Sequence, residues 1–364
     1  MAKPPPPISF IGKHLADLVP DGIQDTDSRL VNAVFEGEPI QQQLNLRDPM
    51  GHKMKIVSAP PVLNFRNDMV GLTAFLTKFR RSVLRKDRRV YLDLSSCRSI
   101  DIVACMLLTA EIQRCDGLVP NFIHGCDPLG AQALDILRQF GFHEQLGIRS
   151  MGPHPNSGWT ATIRSGAGAN QIAEKMAEVA DLAFRAWGDQ AYTDQIHAAL
   201  NEAMTNVIMH AYPESHCAGE PCLPGMWWAA GVVNTQMNEA WFFALDQGVG
   251  LPRTAIRTYE GLLERWGIDP ANAIDHLVIA AAIKEARTQT GLEQHGKGLN
   301  AMIRLIDEKS IGGSVLIASR GGEHMIVKNP DKDDPRLRRV EFGRQLLSEL
   351  PGTLIAWKVN GPIG

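Results

Sequence analysis

An acid, an amide and an imidazole recur at spacings of four residues in the middle of the chain, at Glu202, Asn206 and His210. Residues four apart lie on one face of an α-helix, so this spacing predicts a helix with a polar stripe. The other positions of the segment 200–211 are mostly apolar, which predicts that the helix is largely buried. Buried polar side chains need partners, and the segment itself offers none. The stripe therefore needs a polar ligand, and two later motifs indicate the same.

The first of these motifs is an apolar run followed by an acid and two glycines. Residues 241–245 predict a buried strand that ends at Asp246, and Gly248 and Gly250 follow. A buried carboxylate accepts a hydrogen bond from the exocyclic amine of adenine, whereas guanine has a carbonyl at that position. Glycines can take positive φ and let the backbone approach a base and ribose. The motif alone does not identify a ligand, but its chemistry would suit an adenine nucleotide.

The second motif is Gly296, Lys297 and Gly298, which precede a helical pattern over residues 300–306. The free N–H groups and the dipole at the start of a helix favour phosphate, and Lys297 would add positive charge near the β- or γ-phosphate. If nucleotide binds here, the polar stretch between the two motifs, especially residues 285–294, would be the lid that orders on binding.

Taken in order, the polar stripe and the two glycine motifs resemble the N, G1 and G2 boxes of the GHKL ATPase superfamily. Within that superfamily they are most similar to the small bacterial serine kinases that act as anti-sigma factors. The resemblance covers about residues 160–364 and implies a Bergerat-fold α/β sandwich that binds ATP and Mg²⁺. It also implies that Asn206 ligates Mg²⁺ and that Glu202 is the catalytic residue, which orients or deprotonates the attacking water or seryl hydroxyl.

The remaining roles come from the same resemblance. Thr353 matches the threonine of the final strand that supports the adenine-binding aspartate. The residues that the resemblance assigns to nucleotide binding are Asn206, Asp246, Gly248, Gly250, Gly296, Lys297, Gly298 and Thr353.

Strand and helix patterns alternate in the half of the chain before this region. Strands are predicted at 56–57, 89–94 and 118–123, and helices at about 68–84, 101–115 and 129–140. Such alternation predicts a small α/β layer.

Two segments of this layer, Leu92–Ser95 and Ile100–Ala104, resemble the strand and the helix-opening turn of STAS domains, the fold of anti-anti-sigma factors. Those domains accept phosphate on the serine that follows the aspartate of the turn. Here Ile102 stands at that position and has no hydroxyl group. The resemblance therefore implies a STAS-like module used for docking rather than a phosphoacceptor.

Together these patterns predict a chain of α/β and α+β class, with a STAS-like layer followed by a Bergerat-fold sandwich. The predicted ranges are an N-terminal extension at 1–54, a STAS-like domain at 55–150, a linker at 151–169 and an ATP-binding domain at 170–364. A length of 364 residues suits two domains.

Composition and charge limit the kinds of partner that we expect this chain to bind. A net charge of -3 gives no basic field for nucleic acid. No apolar run is long enough to cross a bilayer, and residues 1–7 lack the apolar core of a signal peptide. We therefore expect a soluble cytoplasmic protein with no membrane insertion. Its six cysteines do not have the regular spacing of a disulfide framework, which predicts reduced thiols. A zinc site at His216, Cys217 and Cys222 is a weaker alternative, because a fourth ligand is missing.

The sequence thus predicts an ATP-dependent signalling switch with serine-kinase or slow ATPase activity toward a separate protein partner. One alternative is a non-catalytic scaffold or switch that binds ATP without consuming it and docks through the STAS-like domain. Another is a two-domain protein whose nucleotide boxes are vestigial. Homodimer formation is left open.

Overall fold

The computed structural model describes residues 53–85, 89–145, 159–213, 223–259, 261–269, 273–288, 303–306, 312–329 and 338–361. The chain forms two compact units, which divide between Pro155 and Asn156. Both units combine helices with β-strands, so the mixed α/β class predicted from the sequence is confirmed.

The first unit is built on a parallel sheet. Its strands are β1 (Met54–Ser58), β2 (Val62–Leu63), β3 (Arg89–Asp93), β4 (Ser99–Ile100) and β5 (Ile123–Cys126). Its helices are α1 (Met69–Leu84), α2 (Ile102–Leu118), α3 (Ala131–Gln139) and α4 (Phe142–Gln145). Strands β1, β3 and β5 are parallel neighbours in that order, and β2 and β4 form a separate two-residue parallel pair.

Aspartates begin the two long helices of this unit. The Asp68 carboxylate accepts a hydrogen bond from the N–H of Gly71 at 2.8 Å and caps α1. The Asp101 carboxylate accepts from Ala104 at the start of α2 and from Phe65, each at 2.7 Å. Each cap satisfies a backbone donor that the helix itself leaves unpaired, which fixes where the helix begins.

The strand predicted at 118–123 is present, but its predicted bounds are wrong. Helix α2 continues to Leu118, and the N–H of Val119 donates a hydrogen bond to the carbonyl of Cys115 at 2.9 Å. Strand β5 begins only at Ile123. Helix α2 is buried along most of its length, so its apolar end has the composition of a buried strand. Short apolar runs do not distinguish these two cases.

The second unit is built on a five-stranded sheet in which every neighbouring pair is antiparallel, in the order β6, β7, β8, β10, β9. Its strands are β6 (Trp159–Ala167), β7 (Met226–Asn234), β8 (Glu239–Asp246), β9 (Gly313–Lys328) and β10 (Arg339–Asn360). Its helices are α5 (Ile172–Trp187), α6 (Gln190–Asn206), a π-helix (Val207–Ala211), α7 (Leu251–Thr258), α8 (Leu262–Arg265) and α9 (Asp275–Thr288). Strand β6 lies within the range 151–169 that was predicted to be a linker.

Helices α5 and α6 pack against each other; α5 also contacts β6 and β7, and α6 contacts β8. Helix α9 packs on β9 and β10. The core between helices and sheet is apolar and includes the buried side chains Met176, Leu200, Trp227, Phe242 and Trp357. This core holds the C-terminal end of α6 and the ends of β8 and β10 in fixed positions, because close-packed interiors resist displacement.

One local expectation for this unit differs from the structure. Residues 285–288, at the start of the predicted lid, are the last turn of α9. The Glu285 carboxylate is buried and accepts hydrogen bonds from Arg265 at 2.8 Å and Trp266 at 3.0 Å, so this end of the lid is a packed helix. Residues 289–294 lie outside the described ranges.

None of the helices in the described ranges has both the length and the apolar character needed to span a bilayer.

Candidate functional site

Strands β8 and β10 bring Asp246 and Thr353 together. The register that pairs Leu245 with Leu354 places Thr353 opposite Asp246, whose side chain is buried. The Oδ1 atom of Asp246 accepts a hydrogen bond from the N–H of Gly248 at 2.8 Å, and the N–H and hydroxyl of Thr353 also bond to the carboxylate. A carboxylate has about four lone-pair directions, so these three donors leave one for a further donor.

Burial dominates the protonation of this carboxyl group. It raises the pKa of Asp246 to about 7, from an ordinary value of 3.8. The hydrogen bonds from Gly248 and Thr353 act in the opposite direction but do not cancel the cost of burying a charge. Asp246 therefore has both protonation states available near neutral pH.

A serine that the sequence analysis did not assign to the site completes this arrangement. Ser319, on β9, pairs with Thr353 and donates its hydroxyl proton to the carbonyl of Gly352 at 2.7 Å. The N–H of Leu251 donates to Ser319 Oγ at 2.9 Å and to Thr353 Oγ1 at 3.1 Å. The Thr353 hydroxyl lies 3.2 Å from Ser319 Oγ and also bonds to the Asp246 carboxylate. No local pattern around Ser319 signals this role.

Glycines allow close contacts around Asp246. Gly352 has φ of 74°, and a Cβ there would lie 2.1 Å from the backbone oxygen of Asp246. Gly250 also has positive φ, as predicted, at 88°. Gly248 does not have positive φ, so that part of the prediction is wrong. A Cβ at Gly248 would instead lie 2.0 Å from the carbonyl oxygen of Ala211, so this glycine is required by the approach of a helix end.

The polar stripe lies at the end of α6 and is less regular than predicted. Glu202 and Asn206 are half-buried, and burial raises the pKa of Glu202. The α-helix ends at Asn206 and continues as the π-helix, which carries His210. Because a π-helix bonds residue i to i+5, the prediction of one continuous α-helical face through His210 is wrong beyond Asn206.

The end of the π-helix is bonded to the loop that follows Asp246. The carbonyl of Ala211 accepts a hydrogen bond from the N–H of Val249 at 2.8 Å. The hydroxyl of Tyr212 accepts from the N–H of Gln247 at 3.1 Å and donates to the carbonyl of Met226 at 2.7 Å. The structure therefore joins the helix of Glu202 and Asn206 to the predicted adenine-binding loop. Tyr212 follows the stripe directly, but its sequence position alone gives no indication of this contact.

A second buried carboxylate lies in the first unit, at the end of β3. Asp93 accepts hydrogen bonds from the hydroxyl of Ser58 at 3.0 Å and from the N–H and hydroxyl of Ser95 at 3.0 and 2.5 Å. Both the N–H and the hydroxyl of Ser95 are therefore used in hydrogen bonds within the first unit. Ile102, the first residue of α2, stands at the position where the STAS resemblance would place a phosphorylated serine.

Several predicted site residues cannot be placed. Gly296, Lys297 and Gly298 lie outside the described residues, as does the weaker zinc candidate at 216–222. Within the part of the chain that the structure describes, no group of three or more His, Cys, Asp or Glu side chains is arranged to hold a metal ion. The Asn206 amide would be a different kind of ligand, a single neutral oxygen donor at the half-buried end of a helix. This suits Mg²⁺, which keeps several waters and takes few protein ligands.

No protein-family model matches this chain, and no curated protein is similar to it in sequence.

Proposed function

We propose that this chain is an ATP-binding regulatory protein of the GHKL type, in which the second unit is a Bergerat-fold domain. One observation carries the proposal: a buried carboxylate, Asp246, retains one acceptor direction, and its loop is bonded to the end of the helix that carries Glu202 and Asn206. Asp246, which would bind the base, and Glu202 and Asn206, which would act on the phosphates, would thereby belong to one site.

Adenine is the base that this carboxylate would select. The exocyclic amine of adenine donates a hydrogen bond, and the remaining lone pair of Asp246 accepts it. Guanine would present a carbonyl oxygen instead. Against the ionised carboxylate this places two acceptors face to face in a buried site, which is strongly unfavourable, so the selection for adenine belongs to the ionised form of Asp246. Thr353 and Ser319 would hold the carboxylate in place through the bonds described above.

The helix end would serve the phosphates. Asn206 supplies one oxygen ligand for Mg²⁺, and the bound ion would neutralise charge on the phosphate oxygens. Glu202 lies one helical turn earlier, where it would accept the proton of the attacking water or seryl hydroxyl. The raised pKa of Glu202 makes it a better proton acceptor than an exposed glutamate. Gly296, Lys297 and Gly298 would contribute N–H groups and a positive charge to the phosphates.

The first unit would act as the docking module. Ile102 offers no hydroxyl for phosphorylation, and the hydroxyl of Ser95 is bonded to Asp93. A serine kinase built this way needs its phosphoacceptor on a separate protein partner. The same features fit a non-catalytic switch, in which ATP changes the surface that a partner contacts without being consumed.

Calorimetry tests the proposal directly. Purified protein is titrated with ATP, ADP and GTP, with Mg²⁺ or with EDTA, and the same samples are assayed for released phosphate. We expect Mg²⁺-dependent binding of the adenine nucleotides and much weaker binding of GTP. Absence of binding by any nucleotide would overturn the proposal. Phosphate release, or transfer of labelled phosphate to a serine of a co-purifying protein, would distinguish the enzyme from the non-catalytic switch.

A further inference from the structure

Two backbone N–H groups of the loop after Asp246 are held by the end of the π-helix. The N–H of Gln247 donates to the hydroxyl of Tyr212, and the N–H of Val249 donates to the carbonyl of Ala211. Between them, Gly248 approaches Ala211 so closely that a Cβ would collide with the carbonyl oxygen. Loop and helix end are therefore in direct contact over three consecutive residues.

Tyr212 has a specific place in this contact. Its hydroxyl accepts from Gln247, which is buried, and donates to Met226 at the start of β7. A single oxygen atom thus links the helix end, the loop and the sheet. The π-helix that precedes Tyr212 begins directly after Asn206, and such widened turns are frequent at functional sites.

We propose that Tyr212 is a positioning residue that couples Mg²⁺ binding at Asn206 to base binding at Asp246. The inference rests on the proposed ATP-binding function and adds to it a residue that neither the motifs nor the resemblance assigns. A coupled pair of sites binds Mg²⁺ and nucleotide together more tightly than it binds either alone.

The physical reason is that Asn206 and Asp246 are not bonded to each other in the contacts described above. The packed core sets the positions of the helix end and the strand ends, and the link from Asn206 through the π-helix sets how the loop after Asp246 is aligned with the Mg²⁺ ligand. Without the Tyr212 hydroxyl, Asp246 keeps its bonds to Gly248 and Thr353, so the base site itself persists. What weakens is the alignment of that site with the Mg²⁺ ligand. The predicted loss is therefore in the coupling and not in base binding.

The test compares Tyr212→Phe with Tyr192→Phe. Tyr192 is a buried tyrosine on α6, and its hydroxyl also donates to a strand carbonyl, that of Asn360 at 3.2 Å. Both substitutions remove one hydroxyl from the same unit, but only one removes it from the loop contact. ATP affinity is measured by calorimetry in Mg²⁺ and in EDTA, and the ratio of the two dissociation constants gives the coupling.

We expect this ratio to fall by about fivefold or more in Y212F and to stay within about twofold of the unaltered protein in Y192F. An unchanged ratio in Y212F, with Mg²⁺-dependent ATP binding intact in the unaltered protein, would overturn the coupling and leave the proposed function standing. An equal fall in both variants would also overturn it, because the effect would then be a general loss of stability. If the unaltered protein binds no ATP, the proposed function itself fails.

Gly248→Ala provides a second route if Y212F does not fold. Its added Cβ would push the loop and the Ala211 carbonyl apart from the other side. Because the Gly248 N–H also bonds to Asp246, ATP affinity in EDTA should fall in G248A as well. The ratio of the two dissociation constants should still fall, and a normal ratio in folded G248A would count against the proposal.

Discussion

Asp246 and Thr353 lie opposite each other on antiparallel strands, and both the N–H and the hydroxyl of Thr353 hydrogen-bond to the Asp246 carboxylate. Thr353 thus supplies two of the three donors that hold this buried charge. The third donor, the N–H of Gly248, belongs to the loop that contacts the helix of Asn206. A substitution of Asp246 should therefore change both the affinity for nucleotide and the stability of the fold.

Replacement of Asp246 by Asn should weaken ATP binding by roughly 10- to 100-fold, the range expected for a lost hydrogen bond to a charged group. The amide offers one acceptor oxygen, whereas the carboxylate has two to share between the backbone donors and adenine. Asp181→Asn is the matched control, because Asp181 lies on α5 with 51% of its side chain exposed and pairs with Arg185. Calorimetry in the presence of Mg²⁺ measures the ATP affinity of both variants. Equal ATP affinity in D246N and D181N would contradict the adenine assignment.

The pKa of Asp246 also predicts how stability depends on pH. The folded protein holds this proton up to a pKa of about 7, whereas the unfolded chain releases it near 3.8. The folded state therefore binds more protons between these values, and the contribution of Asp246 to stability falls as pH rises through this window. The slope for one group approaches about 1.4 kcal/mol per pH unit.

D246N removes this titration. Compared with the unaltered protein, it should become relatively more stable from pH 5 to pH 7, as measured by urea denaturation at each pH without nucleotide. D181N should follow the unaltered protein. A stability difference between D246N and the unaltered protein that stays constant with pH would show that Asp246 is already ionised at pH 5.

Glu202→Gln should separate chemistry from binding. The amide keeps the size of the side chain but cannot accept the proton of the attacking group, so phosphate release should fall by about 10²- to 10⁴-fold. ATP affinity should change little, because Glu202 is not assigned to the base or to Mg²⁺. Glu178→Gln, at a partly exposed ion pair with Arg164, controls for the loss of a charge on the neighbouring helix. Unchanged phosphate release in E202Q would remove Glu202 from the reaction.

Gly352→Ala should destabilise the second unit far more than Gly188→Ala. Both glycines have positive φ, 74° and 67°, so each alanine carries the conformational cost of about 1–2 kcal/mol. Only at Gly352 would the new Cβ also meet a backbone oxygen, that of Asp246, whereas Gly188 faces open space. Denaturant unfolding of the two variants compares the costs. Similar values would show that β10 can shift away from Asp246.

A buried charge cluster in the first unit gives a prediction independent of nucleotide. The Glu111 carboxylate pairs with Arg114 at 2.6 Å and with Arg80 at 3.6 Å, and all three side chains are buried. Glu111→Ala would leave two buried guanidinium groups without their carboxylate, which costs roughly 3–5 kcal/mol. Asp181→Ala, at an exposed pair, should cost about 1 kcal/mol or less. Urea unfolding followed by circular dichroism measures both, and similar costs would show that water reaches the Arg80 and Arg114 side chains.

Local chemistry made much of the fold predictable. Asp68 and Asp101 precede apolar helical patterns, and both cap helices where the sequence indicates. The strands that end at Asp246 and run from Thr353 were also predictable, because apolar runs with β-branched and aromatic residues stand out. Their lengths were not: β10 begins at Arg339, well before Thr353, because its first part pairs with β9 in a register that no local pattern specifies.

The parts of the site that were not predictable depend on contacts between distant segments. The π-helix replaces an α-helical turn where Ala211 meets Gly248 and Val249, and nothing in the segment 207–211 distinguishes the two helix types. Ser319 matters because β9 places it beside Thr353. Such roles follow from strand pairing and close packing, which local sequence patterns do not encode.

The hydrogen bonds of the loop also limit what it can bind. The N–H groups of Gln247, Gly248, Val249 and Leu251 already donate to Tyr212, Asp246, Ala211 and the Ser319–Thr353 pair. Four of the five amides from Gln247 to Leu251 are therefore committed to the fold, and a phosphate could recruit them only by breaking it. The backbone of this loop is therefore poorly placed to bind a phosphate. In the proposed function the loop would contact the base, and the phosphates would bind to another part of the chain.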